Sequence, residues 1–288
     1  MSGGVYIINY CDSVQKSIDY FEQHIKDDIE LNIIIRQSCF STTHFYRIFQ
    51  ALVGDSLKDY IRKRRLSDAA IELCFSEKRI IDIAFEYGFN SQEVFTRAFF
   101  KLFGITPGRY RALKGKTVLY EKVDAYQKML INLNRENSIE PKIVIDKEFR
   151  VVGLKRQVKP GDDLIRKLWG DFNQRKSEIV DAVDINNLLG LCEYMPDITD
   201  ESEFSYIAGV EADDPGCIPE GMTVKVIPSS KYAVFTHIGA MEDLKSTYDY
   251  IYGAWLHCSG YELAELDTIE AYSQSDHESK MEIYIPIK

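Results

Sequence analysis

The strongest constraint on this chain is a gapless internal repeat. STTHFYRIFQALVG (residues 41–54) superimposes on SQEVFTRAFFKLFG (91–104), matching Ser41 with Ser91, Phe45 with Phe95, Arg47 with Arg97, Phe49 with Phe99, Leu52 with Leu102 and Gly54 with Gly104. Apolar residues fall at helical spacing in both copies: Phe45, Ile48, Phe49 and Leu52, then Phe95, Ala98, Phe99 and Leu102. A serine at each start and a glycine at each end supply an N-cap and a C-terminal stop. The repeat therefore predicts two amphipathic helices of about three to four turns each. Thr42, Thr43, Tyr46 and Arg47 fall on the outer face of the first, and Gln92, Glu93, Thr96 and Arg97 on that of the second.

A shorter apolar segment precedes each helix, LNIIIRQSCF and IIDIAFEYGF. In the second, Ala84 is small enough for two helices to cross closely, and Gly88 can take the positive φ of a tight turn. Helix, glycine turn and polar-faced helix form a helix-turn-helix unit. The first unit departs from this pattern, with Ile35 in place of the small alanine and Cys39 in place of the turn glycine. Between the units, LKDYIRKRRLSDAAIELCF has few breakers and reads as one helix of roughly 17 residues, on the order of 25 Å long.

GFNSQEVFTRAFFKLFGITPGRYR, together with the upstream copy and the connecting helix, resembles the DNA-binding domain of AraC/XylS-type transcription regulators over about residues 8–113. The resemblance implies that one monomer places its two reading helices in successive major-groove segments of promoter DNA. It assigns Thr43, Tyr46 and Arg47 to one groove and Gln92, Glu93, Thr96 and Arg97 to the next. Arginine can donate bidentately to guanine and glutamine to adenine, while glutamate can accept from cytosine. The basic run Arg62, Lys63, Arg64, Arg65 is expected to position or support the fold.

A formal charge of −10 sits oddly with DNA binding until it is apportioned. Residues 1–113 carry 15 Lys and Arg against 14 Asp and Glu, and the remainder 20 against 31, so the acidity belongs to the C-terminal part. Local charge governs phosphate affinity, and the whole-chain sum does not. No run approaches the roughly 18 apolar residues of a membrane span, and the first residues lack a basic segment followed by an apolar one. The expectation is a cytoplasmic protein with no membrane partner. Six scattered cysteines without CxxC and five histidines without HxH or HExxH point to reduced thiols, no metal and no cofactor.

Residues 114–140 read as a partly helical connector, with the boundary near Pro141. Beyond it the pattern β-α-β-β occurs twice, first from KIVIDKEFRVVGLKRQV to FSYIAGVEA and then from MTVKVIPSSKYAVFTHIG to KMEIYIPIK. The predicted fold is therefore two domains: an all-α tandem helix-turn-helix domain (1–113), then an α+β domain of duplicated β-α-β-β units (141–288) with helices on one face of the sheet.

That order, with a Trp on the first helix, YIAGV, SGYEL, IEAY and a final EIYIPIK, resembles the GyrI-like (gyrase-inhibitor-like) small-molecule-binding fold over about residues 141–288. The resemblance implies a groove lined by aromatics around one buried acid that receives lipophilic cations, a multidrug-sensing role. Strand alternation puts Glu270 on the same side as Tyr272, which makes Glu270 the candidate acid. Trp169 and Tyr206 match aromatic positions of the family, Phe172, Tyr194 and Trp255 are weaker candidates, and strand phase alone leaves Glu282 open as the acid.

The reading that follows is a DNA-binding transcription regulator with a small-molecule effector domain and RNA polymerase as a further partner. No Ser-His-Asp set or thiolate with a placed His marks an enzyme. The rivals are a small-molecule hydrolase using Glu270 as general base beside a tyrosine, and a protein-interaction module.

Overall fold

The computed structural model describes residues 9–31, 35, 38, 40–115, 117–134, 139–159, 163–195, 202–213, 216–274 and 279–288. They divide into a helical unit (Asn9–Phe40 and Phe45–Ile131) and a sheet unit (Asn132–Lys288, with which Ser41–His44 are grouped).

In the helical unit the order is α1 (Tyr10–Gln23), α2 (Thr42–Val53), α3 (Leu57–Phe75), α4 (Ile80–Glu86), α5 (Gln92–Phe103) and α6 (Pro107–Ala112), with α7 (Ala125–Leu133) following. The two repeated helices are α2 and α5. Ser91 Oγ accepts from Val94 N at 3.2 Å, Ser41 Oγ accepts from His44 N at 3.3 Å, and Gly54 and Gly104 take φ of 87° and 70°. The long helix α3 is capped by Ser56, which accepts from Asp59 N at 3.1 Å. Its Leu66, Ala69, Ala70 and Leu73 pack with Ile83, Ala84, Phe95, Phe99 and Tyr110 into one buried cluster. Ala84 is fully buried there, as a close helix crossing requires.

Gly88 sits at φ 75°, and it is this turn that favours glycine; a Cβ on it would lie 2.6 Å from Arg65 Nη1, the tip of a side chain that can move aside. Cys39, its counterpart in the first unit, lies outside the described residues, while Ile35 is buried. The basic run is absorbed internally. Arg64 bonds both Glu22 oxygens, Asp68 and the Tyr120 carbonyl, Arg65 donates to the carbonyls of Ile25 and Asp27, Lys63 pairs with Asp55, and Arg62 with Asp59. The early part of the sequence-predicted connector belongs to this unit: Tyr120 N–H donates to Ser67 Oγ, its hydroxyl to Asp55, and Ala125 N–H to Gln15.

The sheet unit runs β1 (Lys142–Val158), α8 (Leu164–Arg175), β2 (Asn187–Cys192), β3 (Phe204–Glu211), then β4 (Thr223–His237), α9 (Leu244–Tyr250), a π-helical turn (Ile251–Trp255), α10 (Leu256–Ser259), β5 (Thr268–Gln274) and β6 (Ser279–Ile287). The β-α-β-β unit is thus present twice. The strands pair antiparallel in the order β1-β3-β2-β5-β6-β4, and β4 pairs back onto β1 to close a barrel. The sequence implied a sheet with one helical face; the long strands β1 and β4 add the closure. Pairing from Lys142↔Val234 to Gly153↔Thr223 carries register shifts around Lys147, beside Asp146 at φ 54°. Such bulges bend a strand and let a sheet curl. Phe149, Val151, Leu189, Leu191, Ile207, Tyr232 and Ile269 form the interior cluster. Val152, Tyr206, Ala208 and Val210 pack instead with Leu168 and Phe172 of α8.

Candidate functional site

Two sites were anticipated, and each is taken within its own unit. On α5 the Ser91 cap and the Gly104 stop fix the helix ends, and Phe95 and Phe99 anchor it in the core. Gln92, Glu93 and Arg97 are left exposed, with Thr96 half-buried. On α2, Tyr46 meets Phe45 edge-on at 6.1 Å, and Thr43 and Arg47, three residues before and one after it, lie on the same side of the helix. The repeat thus holds in backbone and caps.

In the sheet unit the site forms around Glu270, which is 7% exposed. Alternation along β5 sends Ile269 and Ala271 to the interior cluster and Glu270 to the other face with Tyr272. Three phenols donate to the carboxylate: Tyr206 to Oε2 at 3.0 Å, Tyr272 to Oε2 at 2.7 Å and Tyr248 to Oε1 at 2.7 Å. Burial, then the charge of Glu270, pushes the hydroxyls of Tyr206, Tyr248 and Tyr272 well above the usual phenol range. They therefore stay protonated and act as donors. Among the described residues, no Lys, Arg or His forms an ion pair with this carboxylate. A buried carboxylate met only by neutral donors has no counter-charge beside it, and burying one is costly unless a cation joins it.

The surrounding wall is aromatic. The Trp169 ring lies 5.3 Å from that of Tyr272 and 6.4 Å from Tyr206, both near edge-on, and Tyr248 stacks on Tyr252 at 6.2 Å with 5° between planes. Ring faces attract positive charge, so this wall complements the acid. Gly190 stands opposite Glu270 in the β2–β5 register, and a Cβ there would sit 2.1 Å from Tyr206 Oη and 3.3 Å from Glu270 Oε2. Only glycine lets the Tyr206 hydroxyl reach the acid across β2.

The structure thus brings Trp169, Tyr206, Glu270 and Tyr272 together. Phe172 is core behind Trp169, at 6.1 Å. Tyr194 follows β2, its N–H donating to Asp267 at 2.7 Å. Trp255 packs on Phe235 at 5.0 Å and stacks on Tyr261 at 6.1 Å. Glu282 pairs with Ala271 in register, which places it on the other face from Glu270, and it is ion-paired with Lys280 at 2.7 Å. The sequence reading missed Tyr248, Tyr252 and Gly190. The i, i+4 spacing of the first two was an available signal; nothing local marked the third.

A tandem helix-turn-helix unit followed by a duplicated barrel with an acid in an aromatic wall defines a DNA-binding protein type that carries a small-molecule-binding domain. Comparison with known proteins agrees in both parts. Residues 139–288 match the GyrI-like small molecule binding domain and residues 34–113 a helix-turn-helix domain of the AraC type. The chain belongs to the GyrI-like family. It is 45% identical over 117 residues (41% of this chain, 39% of the relative) to an uncharacterized HTH-type transcriptional regulator YbfP of Bacillus subtilis. It is 32% identical over 183 residues (59% of this chain, 66% of the relative) to the transcriptional regulator BrlR of Pseudomonas aeruginosa. The chain therefore spans less than two thirds of either relative's length. A solved structure of SAV2435 bound to tetraphenylphosphonium is similar at 22% identity and TM-score 0.40, over 52% of this chain and 94% of that one.

Proposed function

We propose that this protein is a one-component transcription regulator. In this reading residues 1–113 bind double-stranded promoter DNA sequence-specifically, residues 114–140 connect, and residues 141–288 bind a lipophilic cationic effector. The carrying observation is Glu270, buried, bonded by three neutral phenols and walled by Trp169, Tyr206, Tyr248 and Tyr272. A flat, poorly hydrated cation can enter such a wall at low desolvation cost and supply the counter-charge that Glu270 lacks. Effector binding biases DNA binding or RNA polymerase contact to the extent that it favours one state over another.

Base reading falls to Gln92, Glu93, Thr96 and Arg97 in one groove, and to Thr43, Tyr46 and Arg47 in the next. The protein is assigned to the cytoplasm; among the described residues no helix is long and apolar enough to cross a membrane. No catalytic role is assigned. Both oxygens of Glu270 are held by phenols whose protons it shares, which leaves it poorly placed to act as the general base of a hydrolase.

The test is the thermal stability of the full chain against lipophilic cations and their neutral isosteres, with Glu270→Gln alongside. Cations alone should stabilise the wild type, and the variant should lose about 3–5 kcal/mol of that binding, as expected when one member of a buried pair is removed. Equal stabilisation by the neutral isosteres would refute the counter-ion role. In a parallel arm, Arg97→Ala should weaken binding to a selected DNA site by about 1–3 kcal/mol relative to a scrambled one.

A further inference from the structure

Helix α5 exposes two apolar side chains that core packing does not account for, Val94 near its start and the larger Phe100. Its neighbours Phe95 and Phe99 are fully buried, yet Phe100 is 54% exposed. Residues three, four and seven apart share a helix face, so Phe100 stands with Arg97, Thr96 and Glu93. The serine cap and the left-handed glycine fix both ends of the helix, and the buried phenylalanines fix its rotation. Phe100 is therefore held outward in the midst of polar side chains. In the first copy of the repeat the matching residue is Gln50, exposed and polar.

An aromatic ring cannot bond a phosphate as a lysine would, and it gains nothing from water. The major groove offers one apolar feature to such a ring, the C5-methyl of thymine. Phe100 lies one turn beyond Thr96 and Arg97, about 4.5–6 Å further along the helix axis, which is within the roughly 12 Å width of the groove. We propose that Phe100 is a specificity-determining residue that reads a thymine methyl in the groove entered by α5. The proposal rests on the DNA-reading assignment of this helix and adds an aromatic contact beside the hydrogen bonds its polar residues offer. It also separates the two reading helices chemically, since Gln50 at the same place favours hydrogen bonding.

The experiment first selects a binding site for the full chain from random duplex DNA, then replaces each thymine of that site in turn by deoxyuridine, which differs only in the methyl group. Wild type, Phe100→Ala and Arg97→Ala are titrated on each duplex. One thymine in the α5 half-site should be sensitive, its replacement weakening wild-type binding roughly three- to five-fold, the worth of one buried methyl. Phe100→Ala should bind the thymine and deoxyuridine forms of that duplex equally, and 5-methylcytosine should restore more wild-type affinity than cytosine at the same position. Wild-type indifference to every replacement, or a deoxyuridine penalty that survives in Phe100→Ala, overturns the proposal. If Arg97→Ala still loses site preference in that case, the DNA-reading assignment stands and only the role of Phe100 falls. A wild-type chain that enriches no sequence overturns both.

Discussion

The two halves of the barrel share one plan and divide its chemistry unequally. The first contributes Trp169 from an uninterrupted helix, Tyr206 from β3, and Gly190 on β2. The second contributes Glu270 and Tyr272 on β5, with Tyr248 and Tyr252 from a helix that passes into a π-helical turn. Gly190 and Glu270 are register partners on the two middle strands of the duplicated units. One half supplies the space, the other the charge. A duplicated scaffold becomes a binding site where the copies stop being alike, and a π turn in only one helix is a further mark of that divergence.

The comparison is broken most severely by giving the first half a side chain where it has none. Gly190→Ala places a Cβ 2.1 Å from Tyr206 Oη, so the phenol must leave Glu270 or β2 must shift away from β3. Overpacking of this kind costs about 1–3 kcal/mol. The expected result is a lower melting temperature and loss of the cation-dependent stabilisation. An unchanged melting temperature with intact cation response would show that the empty position in β2 has no part in the site.

A smaller effect tests the second half. Tyr248→Phe removes the phenol that donates to Glu270 Oε1 and keeps the ring that stacks on Tyr252. A hydrogen bond to a charged group contributes about 1.5–3 kcal/mol, and water entering beside the new phenylalanine offsets part of that. Denaturant unfolding of the unliganded protein should therefore register a loss of about 1 kcal/mol. Tyr272→Phe should cost less, because Tyr206 still donates to the same oxygen. Equal losses would mean that the two carboxylate oxygens are not distinct in what holds them.

How much of this was legible in the sequence follows from the range of each interaction. Ser91, Gly88 and Gly104 act within a few residues of themselves, by capping or by positive φ, and they could be read directly. Glu270 and Tyr272 are two apart on one strand, so the pleat alone puts them on one face. Gly190 matters only because β2 lies between β3 and β5 in a particular register, which no local pattern encodes. Closure of the barrel was hidden for the same reason, since it depends on β1 finding β4 some eighty residues later. Trp255 was a weaker candidate in the sequence, and it lies seven residues beyond Tyr248, where an unbroken helix would bring it to the same face. The intervening π turn changes the helical phase, and Trp255 faces Phe235 instead.

The segment after that π turn carries a pH dependence of its own. His257 is held largely out of solvent, with Nε2 donating to the Tyr252 carbonyl at 2.9 Å, so it is tied to the turn that carries the Tyr248–Tyr252 stack. Burial pushes its pKa down from 6.5 to about 4, the hydrogen bond to Tyr252 opposing this only in part. Folded protein therefore keeps the ring neutral over a range where the unfolded chain would already have bound a proton. The unfolded state binds more protons, so stability rises with pH there; equivalently, it is lost as pH falls from about 6.5 towards about 4. Above that window His257 contributes no pH dependence, which makes this the smallest effect near neutrality. Melting temperatures of wild type and His257→Gln, compared between pH 7.5 and pH 4.5, should converge on acidification, because only the wild type loses this contribution. Parallel curves would show that His257 titrates normally in the folded state and that the helix of the second half is more open than its packing indicates.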